Sequence, residues 1–259
     1  WHGTRSLRAL ATDATRMTQG HLDRTETADT SKEVRGLAEA LNNLANWQQS
    51  RGDLVAAAAS SEEACALARG HRDPWASVPL HSTLSGIYRA QGRADVALEA
   101  ARRAAADARA VGATQGQGEA LDQIGMIHRD LGQKALALEA HGEALALARK
   151  AALPAQEAFA LASQALDHLV CGEPGEAEAK AARELIKKAT RLAGGSHRLH
   201  LRLAQAQGRL HRLTGENDQA LSSARSAMQR AEAAGLPDEQ AAAALLTGEI
   251  LLGLGGAEP

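Results

Sequence analysis

ANWQQSRGDLVAA, residues Ala45–Ala57, carries the three marks that decide the fold. Ala45 is a small residue seven before Gly52, and Ala57 is a second small residue five after it. The same interval recurs down the chain. Comparable glycines stand at Gly92, Gly132, Gly172, Gly215 and Gly255, in steps of 40, 40, 40, 43 and 40 residues. Small residues precede them by seven at Ser85, Gly125, Ala165, Gly208 and Gly248, and alanines follow the next four by five at Ala97, Ala137, Ala177 and Ala220. Self-similarity at such a period marks stacked units, each burying its apolar face on its neighbours.

Each unit reads as helix, Gly-centred turn, helix and short connector. Small residues at fixed places let the two helices approach closely. The connectors hold Pro74, Pro154 and Pro237, or the pair Gly194-Gly195, all of which stop helices. The Gly194-Gly195 connector is expected to accommodate the three extra residues. Arg69, Arg109 and Arg149 close second helices, where a cation suits the negative end of the helix dipole. The expected organisation is a single array over residues 1–259, with units near 33–73, 74–113, 114–153, 154–195 and 196–236. Partial units at 1–20 and 237–259 complete it: a lone second helix over residues 5–18 and a lone first helix over residues 238–254. About twelve helices follow.

Composition agrees. Of 259 residues, five are aromatic, so the apolar share comes from small side chains suited to helices packed along their length. A net charge of −2 gives no general attraction to nucleic acid or anionic membrane. Cys65 and Cys171 stand too far apart for a metal motif and form no disulfide framework, which fits a reduced, cytoplasmic setting. No apolar run is long enough to span a bilayer. The chain starts at Trp1 and reads as a segment of a longer protein or a processed one.

The pattern resembles the tetratricopeptide repeat, in a long-period form similar to the repeats of kinesin light chains and of bacterial signalling regulators. Leu41, Leu44-Ala45, Gly52, Ala57 and Ala64 carry the resemblance in the first unit; Tyr88, Gly92, Ala97 and Ala104 in the second; Leu121, Ile124-Gly125, Gly132, Ala137 and Ala144 in the third. The fifth matches at Gly208, Gly215, Ala220 and Ala227, while the fourth departs at Gln164 and Glu184, with a second-helix register in doubt after Gly175. The position the family gives to Tyr holds Gln48, His128, His168, His211 and Leu251 elsewhere, and the second-helix aromatic is replaced by Ser61, Ala101, His141, Ala181 and Ala224. The resemblance implies an all-α, right-handed superhelix of helical hairpins, with a concave groove lined mainly by first helices.

That groove is the family's ligand face. In the first unit Glu39, Asn42, Asn46 and Gln49 share one stripe of the helix, and Leu37, Leu41, Leu44 and Ala45 share another that should face the paired helix. Asn supplies two donors and an acceptor on a short stem, which suits bidentate bonding to a peptide backbone. The resemblance therefore implies a backbone clamp of Asn42, Asn43, Asn46 and Gln49; solvated asparagines without a ligand are the alternative. The same register brings Ser82, Thr83 and Arg89 to the groove, then Asp122, Gln123, Met126 and Arg129, then Ser163, Leu166 and Leu169, then Gln205, Arg209 and Arg212. Polar, apolar and basic in turn, it would complement a peptide with an apolar anchor and an acidic residue.

Other signals dissolve into the repeat. One histidine per unit at His128, His168 and His211 cannot converge on one ion, since adjacent helix axes lie about 8–10 Å apart and zinc bonds nitrogen at about 2 Å. His197 and His200 lack a third ligand. HRDL at 128–131 has Ala135 where a kinase loop needs Asn, and GATQGQG at 112–118 lacks a strand and a lysine. Arg102-Arg103 and Lys187-Lys188 are short basic pairs, not a nucleic-acid stripe. The expected function is a non-catalytic scaffold binding a protein or peptide segment, without cofactor, metal, nucleic acid or membrane. The alternative is the effector- or signal-peptide-sensing domain of a larger bacterial transcriptional or signalling regulator. The unpaired half units would allow end-to-end dimerisation.

Overall fold

A computed structural model describes residues 24–71, 74–194, 196–233 and 237–255. Among them the chain is all-α. The expected helix over residues 5–18 lies outside the described residues. Two compact units divide at Ala113 and Thr114.

In the first unit α1 (Arg24–Ser50) pairs with α2 (Leu54–His71), and α3 (Pro74–Ala90) with α4 (Ala94–Ala110). In the second, α5 (Thr114–Asp130) pairs with α6 (Lys134–Lys150), α7 (Pro154–Val170) with α8 (Glu176–Leu192), and α9 (His197–Leu213) with α10 (Asn217–Ala233), while α11 (Pro237–Gly255) packs on α10. Consecutive first helices also touch within each unit: α1 with α3, α5 with α7, and α7 with α9.

The glycine turns explain the period. Gly52, Gly92, Gly132, Gly172 and Gly215 all take φ between +70° and +79°, a left-handed conformation that costs L-residues with a Cβ about 1–2 kcal/mol. At Gly132 the chain closes as a Schellman cap: the Gly132 amide donates to Arg129 O (2.9 Å) and the Gln133 amide to His128 O (2.9 Å). Gly255 differs, being the last residue of α11.

The small residues meet where the repeat predicts. Ala45, Ser85 and Ala165 are fully buried on first helices, and Ala57, Ala97, Ala137 and Ala220 on second helices. Ala177 breaks the series and is exposed. The cause is local: Glu173-Pro174-Gly175 delays α8, which starts four residues after its glycine, where α2, α4, α6 and α10 start two after theirs. The buried face shifts with it to Ala179, Ala182, Ile186 and Ala189, leaving Glu184 outside.

Helix α1 departs from expectation in two ways. It begins at Arg24, ahead of residue 33. Its buried stripe is Val34, Ala38 and Ala45, whereas Leu44 is 41% exposed instead of facing α2. The Leu41 side chain is half-buried, so the inner stripe runs at i, i+4, i+7 and i+11 from Val34.

Candidate functional site

In the first unit, α1 and α3 enclose an open cleft of about 440 Å³, within the range of ligand pockets. Arg35, Glu39, Asn42 and Asn43 line one wall; Trp75 and Leu80 belong to the other. Helix spacing explains the first wall, because residues 35, 39 and 42 rise on one face at i, i+4 and i+7. Asn43 is exposed and Asn42 half-buried, its carboxamide oxygen covered without a hydrogen-bond partner. Trp75, 62% exposed, offers a broad apolar surface. Of the four clamp residues, Asn42 and Asn43 reach the cleft. Asn46 is exposed and Gln49 half-buried, and neither lines it. Ser82, Thr83 and Arg89 are half-buried along α3.

The second unit treats the equivalent register differently. Asp122 (7% exposed), Leu166 (4%) and Leu169 (3%) are buried, contrary to an open groove. Their helices α5, α7 and α9 pack side by side, so these positions fall into the seams between them. Gln123 is half-buried, with a covered, unbonded side-chain oxygen. Arg209 and Arg212 are drawn to Glu249 of α11, at 3.1 and 3.8 Å, so the basic end of the expected groove carries its own counter-charge.

Asp122 opens a buried polar network. Ser163 Oγ donates to its Oδ1 at 2.7 Å, Arg202 Nη1 donates to the same oxygen at 3.3 Å, and His141 Nε2 lies 3.3 Å away. The other ring nitrogen, Nδ1, donates to Asp167 Oδ2 at 2.6 Å. Asp167 also accepts from Arg129 Nη1 at 3.5 Å. Arg202 further donates to Ser163 Oγ at 2.8 Å and stacks 4.4 Å above the Phe159 ring, a cation–π contact that offsets part of the cost of its burial. Four helices, α5, α6, α7 and α9, thus share one set of charges.

Electrostatics follow from this packing. Burial would raise the pKa of Asp122, but Arg202, His141 and Ser163 outweigh it and hold the carboxyl well below its ordinary 3.8. Burial would lower His141; its carboxylate neighbours Asp122 and Asp167 outweigh that and raise it above 6.5, favouring the imidazolium. This is a structural network in which every charge has an opposite neighbour, although the buried His141 Nε2 faces Asp122 without a hydrogen bond. From the sequence His141 reads as a replaced aromatic, and Asp167 and Arg202 carry no motif. Register carries the signal for two of them: His141 and Asp167 stand at positions the other units fill with small or apolar residues, whereas Arg202 shares its position with the charged Glu39 and Glu119.

Two of the three histidines at the Tyr position share a role, while the Nδ1 of the third, His168, is buried without a hydrogen-bond partner. His128 Nδ1 donates to Gln133 Oε1 and His211 Nδ1 to Glu216 Oε2, each at 2.7 Å and each across a glycine turn. Tyr88 donates instead to Glu62, and Gln48 accepts from Ser60 at 2.9 Å. No group of three or more His, Cys, Asp or Glu among the described residues is arranged to hold a metal ion. No described helix is long and apolar enough to cross a membrane.

Residues 77–150 match the family profile of the tetratricopeptide repeat. No curated protein matches the chain. Among solved structures, BtubC (BKLC) from P. vanneervenii is similar at TM-score 0.50 and 20% identity, over 97% of this chain and 93% of that one. PilF of Pseudomonas aeruginosa aligns at TM-score 0.29 and 16% identity, over 82% of this chain and 98% of its own. The profile match marks residues 77–150 as similar to the tetratricopeptide repeat, and helical hairpins closed by left-handed glycine turns recur through the described residues on both sides of that stretch.

Proposed function

We propose that the chain is a non-catalytic scaffold that binds a peptide segment of a partner protein in the cleft between α1 and α3. Tetratricopeptide repeats generally serve as protein-binding scaffolds. The observation that carries the site is the cleft itself: two asparagines on one wall, an exposed tryptophan on the other, and the Asn42 carboxamide oxygen without a partner. An unmade hydrogen bond of this kind costs about 1–3 kcal/mol, and turning the covered Asn42 carboxamide toward the cleft would let a ligand backbone N–H recover it. Trp75 supplies apolar contact, and Arg35 and Glu39 offer charges of both signs at the α1 wall.

The test is a random peptide array probed with the whole chain. Selected peptides should bind about 30-fold more weakly to Trp75→Ala, the scale of a tryptophan hot spot, and measurably more weakly to Asn42→Ala/Asn43→Ala. Unchanged affinity in both variants would remove the cleft from consideration.

A further inference from the structure

Helix α8 buries Ala179, Ala182, Ile186 and Ala189 on one face. The opposite face carries Lys180, Arg183, Lys187, Lys188 and Arg191, all exposed. Glu184 is the one carboxylate on the helix between residues 180 and 191, in a chain whose net charge is −2. None of the five cations forms an ion pair or hydrogen bond with another described residue. Glu184 stands at i+4 from Lys180 and at i−4 from Lys188 without pairing to either. The helix dipole accounts for a cation in the last turn, as at Arg191, and its effect fades within that turn. Lys180, Arg183 and Lys187 lie further back.

We infer that the outer face of α8 is a docking surface for an acidic, extended segment of a partner protein. Spacing argues for this occupant. Arg183, Lys187 and Arg191 recur at i, i+4 and i+8, so their stems leave the helix at intervals of about 6 Å. Alternate residues of an extended chain project to one side at about 6.6–6.8 Å, so acidic residues at every second position meet the row nearly in register. Two of the three contacts would be arginines, which bond carboxylates bidentately.

Two other anionic partners fit less well. Residues 160–259 contain no Phe, Trp or Tyr to stack on bases. The larger apolar side chains of α8, Leu185 and Ile186, pack into the core of the second unit and leave no apolar edge to enter a membrane interface. The surface shares no residue with the α1–α3 cleft, so each can fail without the other.

The experiment is fluorescence anisotropy with the whole chain and a labelled peptide of about twelve residues, alternating Glu and Ser. A peptide of the same composition with its Glu in one block is the comparison. The alternating peptide should bind saturably and more tightly than the blocked one, and weaken as salt is raised. Reversal by Arg183→Glu/Lys187→Glu should weaken binding by about 10-fold or more with unchanged circular dichroism, while Trp75→Ala leaves it alone. Absence of saturable binding, equal affinity for both peptides, or indifference to charge reversal would overturn the proposal. So would tighter, reversal-sensitive binding of phosphatidylserine vesicles or a DNA duplex.

Discussion

Replacing Gly125 by alanine should destabilise the second unit although alanine is the better helix former. A Cβ built at Gly125 lies 2.3 Å from Nε2 of His141, with Cε1 at 2.5 Å and Cδ2 at 2.6 Å. Those atoms cannot yield cheaply. His141 is fully buried, and its ring is held between Asp122 and Asp167. Moving it would leave the fully buried Asp167 with Arg129, at 3.5 Å, as its ion-pair partner. Overpacking alone costs about 1–3 kcal/mol, and stripping a partner from a buried charge costs about 3–5 kcal/mol. A loss of about 3 kcal/mol or more follows for Gly125→Ala. In a His141→Ala background the obstruction is gone, and the same change should gain up to about 1 kcal/mol from helix propensity. Urea unfolding of the four proteins, followed by circular dichroism, gives the cycle. If Gly125→Ala costs the same in both backgrounds, the packing of Gly125 against His141 is not what keeps a glycine in the middle of α5.

The network also sets a pH window. His141 is raised above 6.5, so its contribution is complete below that value and is lost as pH rises through its folded pKa; Asp122 is lowered, so its contribution is complete above 3.8 and is lost as pH falls through its folded value. Melting temperature against pH should fall on the alkaline side, and His141→Gln should flatten that fall; an unaltered profile would refute the assignment. Tyr88 is the chain's single tyrosine, and burial, with the bond to Glu62, pushes its pKa up to about 12. Alkaline titration of tyrosinate absorbance should show no transition near the ordinary 10.0. Gly132→Ala should cost about 1–2 kcal/mol, because its φ is +70° although nothing stands within 4 Å of an added Cβ. A change in thermal stability under about 0.5 kcal/mol, the ordinary size of a surface substitution, would sink that reasoning.

The spine of the fold was legible because it rests on backbone geometry and on size. A left-handed turn selects glycine, and a close helix contact selects Ala45, Ser85 or Ala165, so both leave marks at fixed intervals. The odd residue is explained by the packing and not by the sequence pattern. First-helix position seven before the glycine meets second-helix position nine after it, and the bulk of His141 coincides with the missing Cβ of Gly125. The α8 delay was half visible, as a register lost after Gly175, since a shift of two residues follows from how the turn is built. The candidate site was less legible. Helical periodicity tells inward from outward, but a groove floor and a seam between adjacent helices differ by about one residue of rotation, roughly 100°. Leu166 and Leu169 fell on the wrong side of that line, and Leu44 fell outside it.

Asn42 and Asp122 occupy the same position in their units, ten residues before Gly52 and Gly132, yet one lines a cleft and the other is sealed. The neighbouring first helix decides between them. Opposite Asp122, α7 presents Ser163, small enough to close the seam and able to donate, and α9 sends Arg202 to balance the charge. Opposite Asn42, α3 presents Trp75, Pro79 and Leu80, and the Asn42 carboxamide oxygen receives no hydrogen bond from them. A carboxylate at position 42 would find no cation on the α3 wall, whereas Asp122 has Arg202 from α9; a carboxamide without a partner is a smaller cost. The polar register of the repeat is therefore a neutral starting point, and the side chains on the next helix determine whether it becomes core or binding surface.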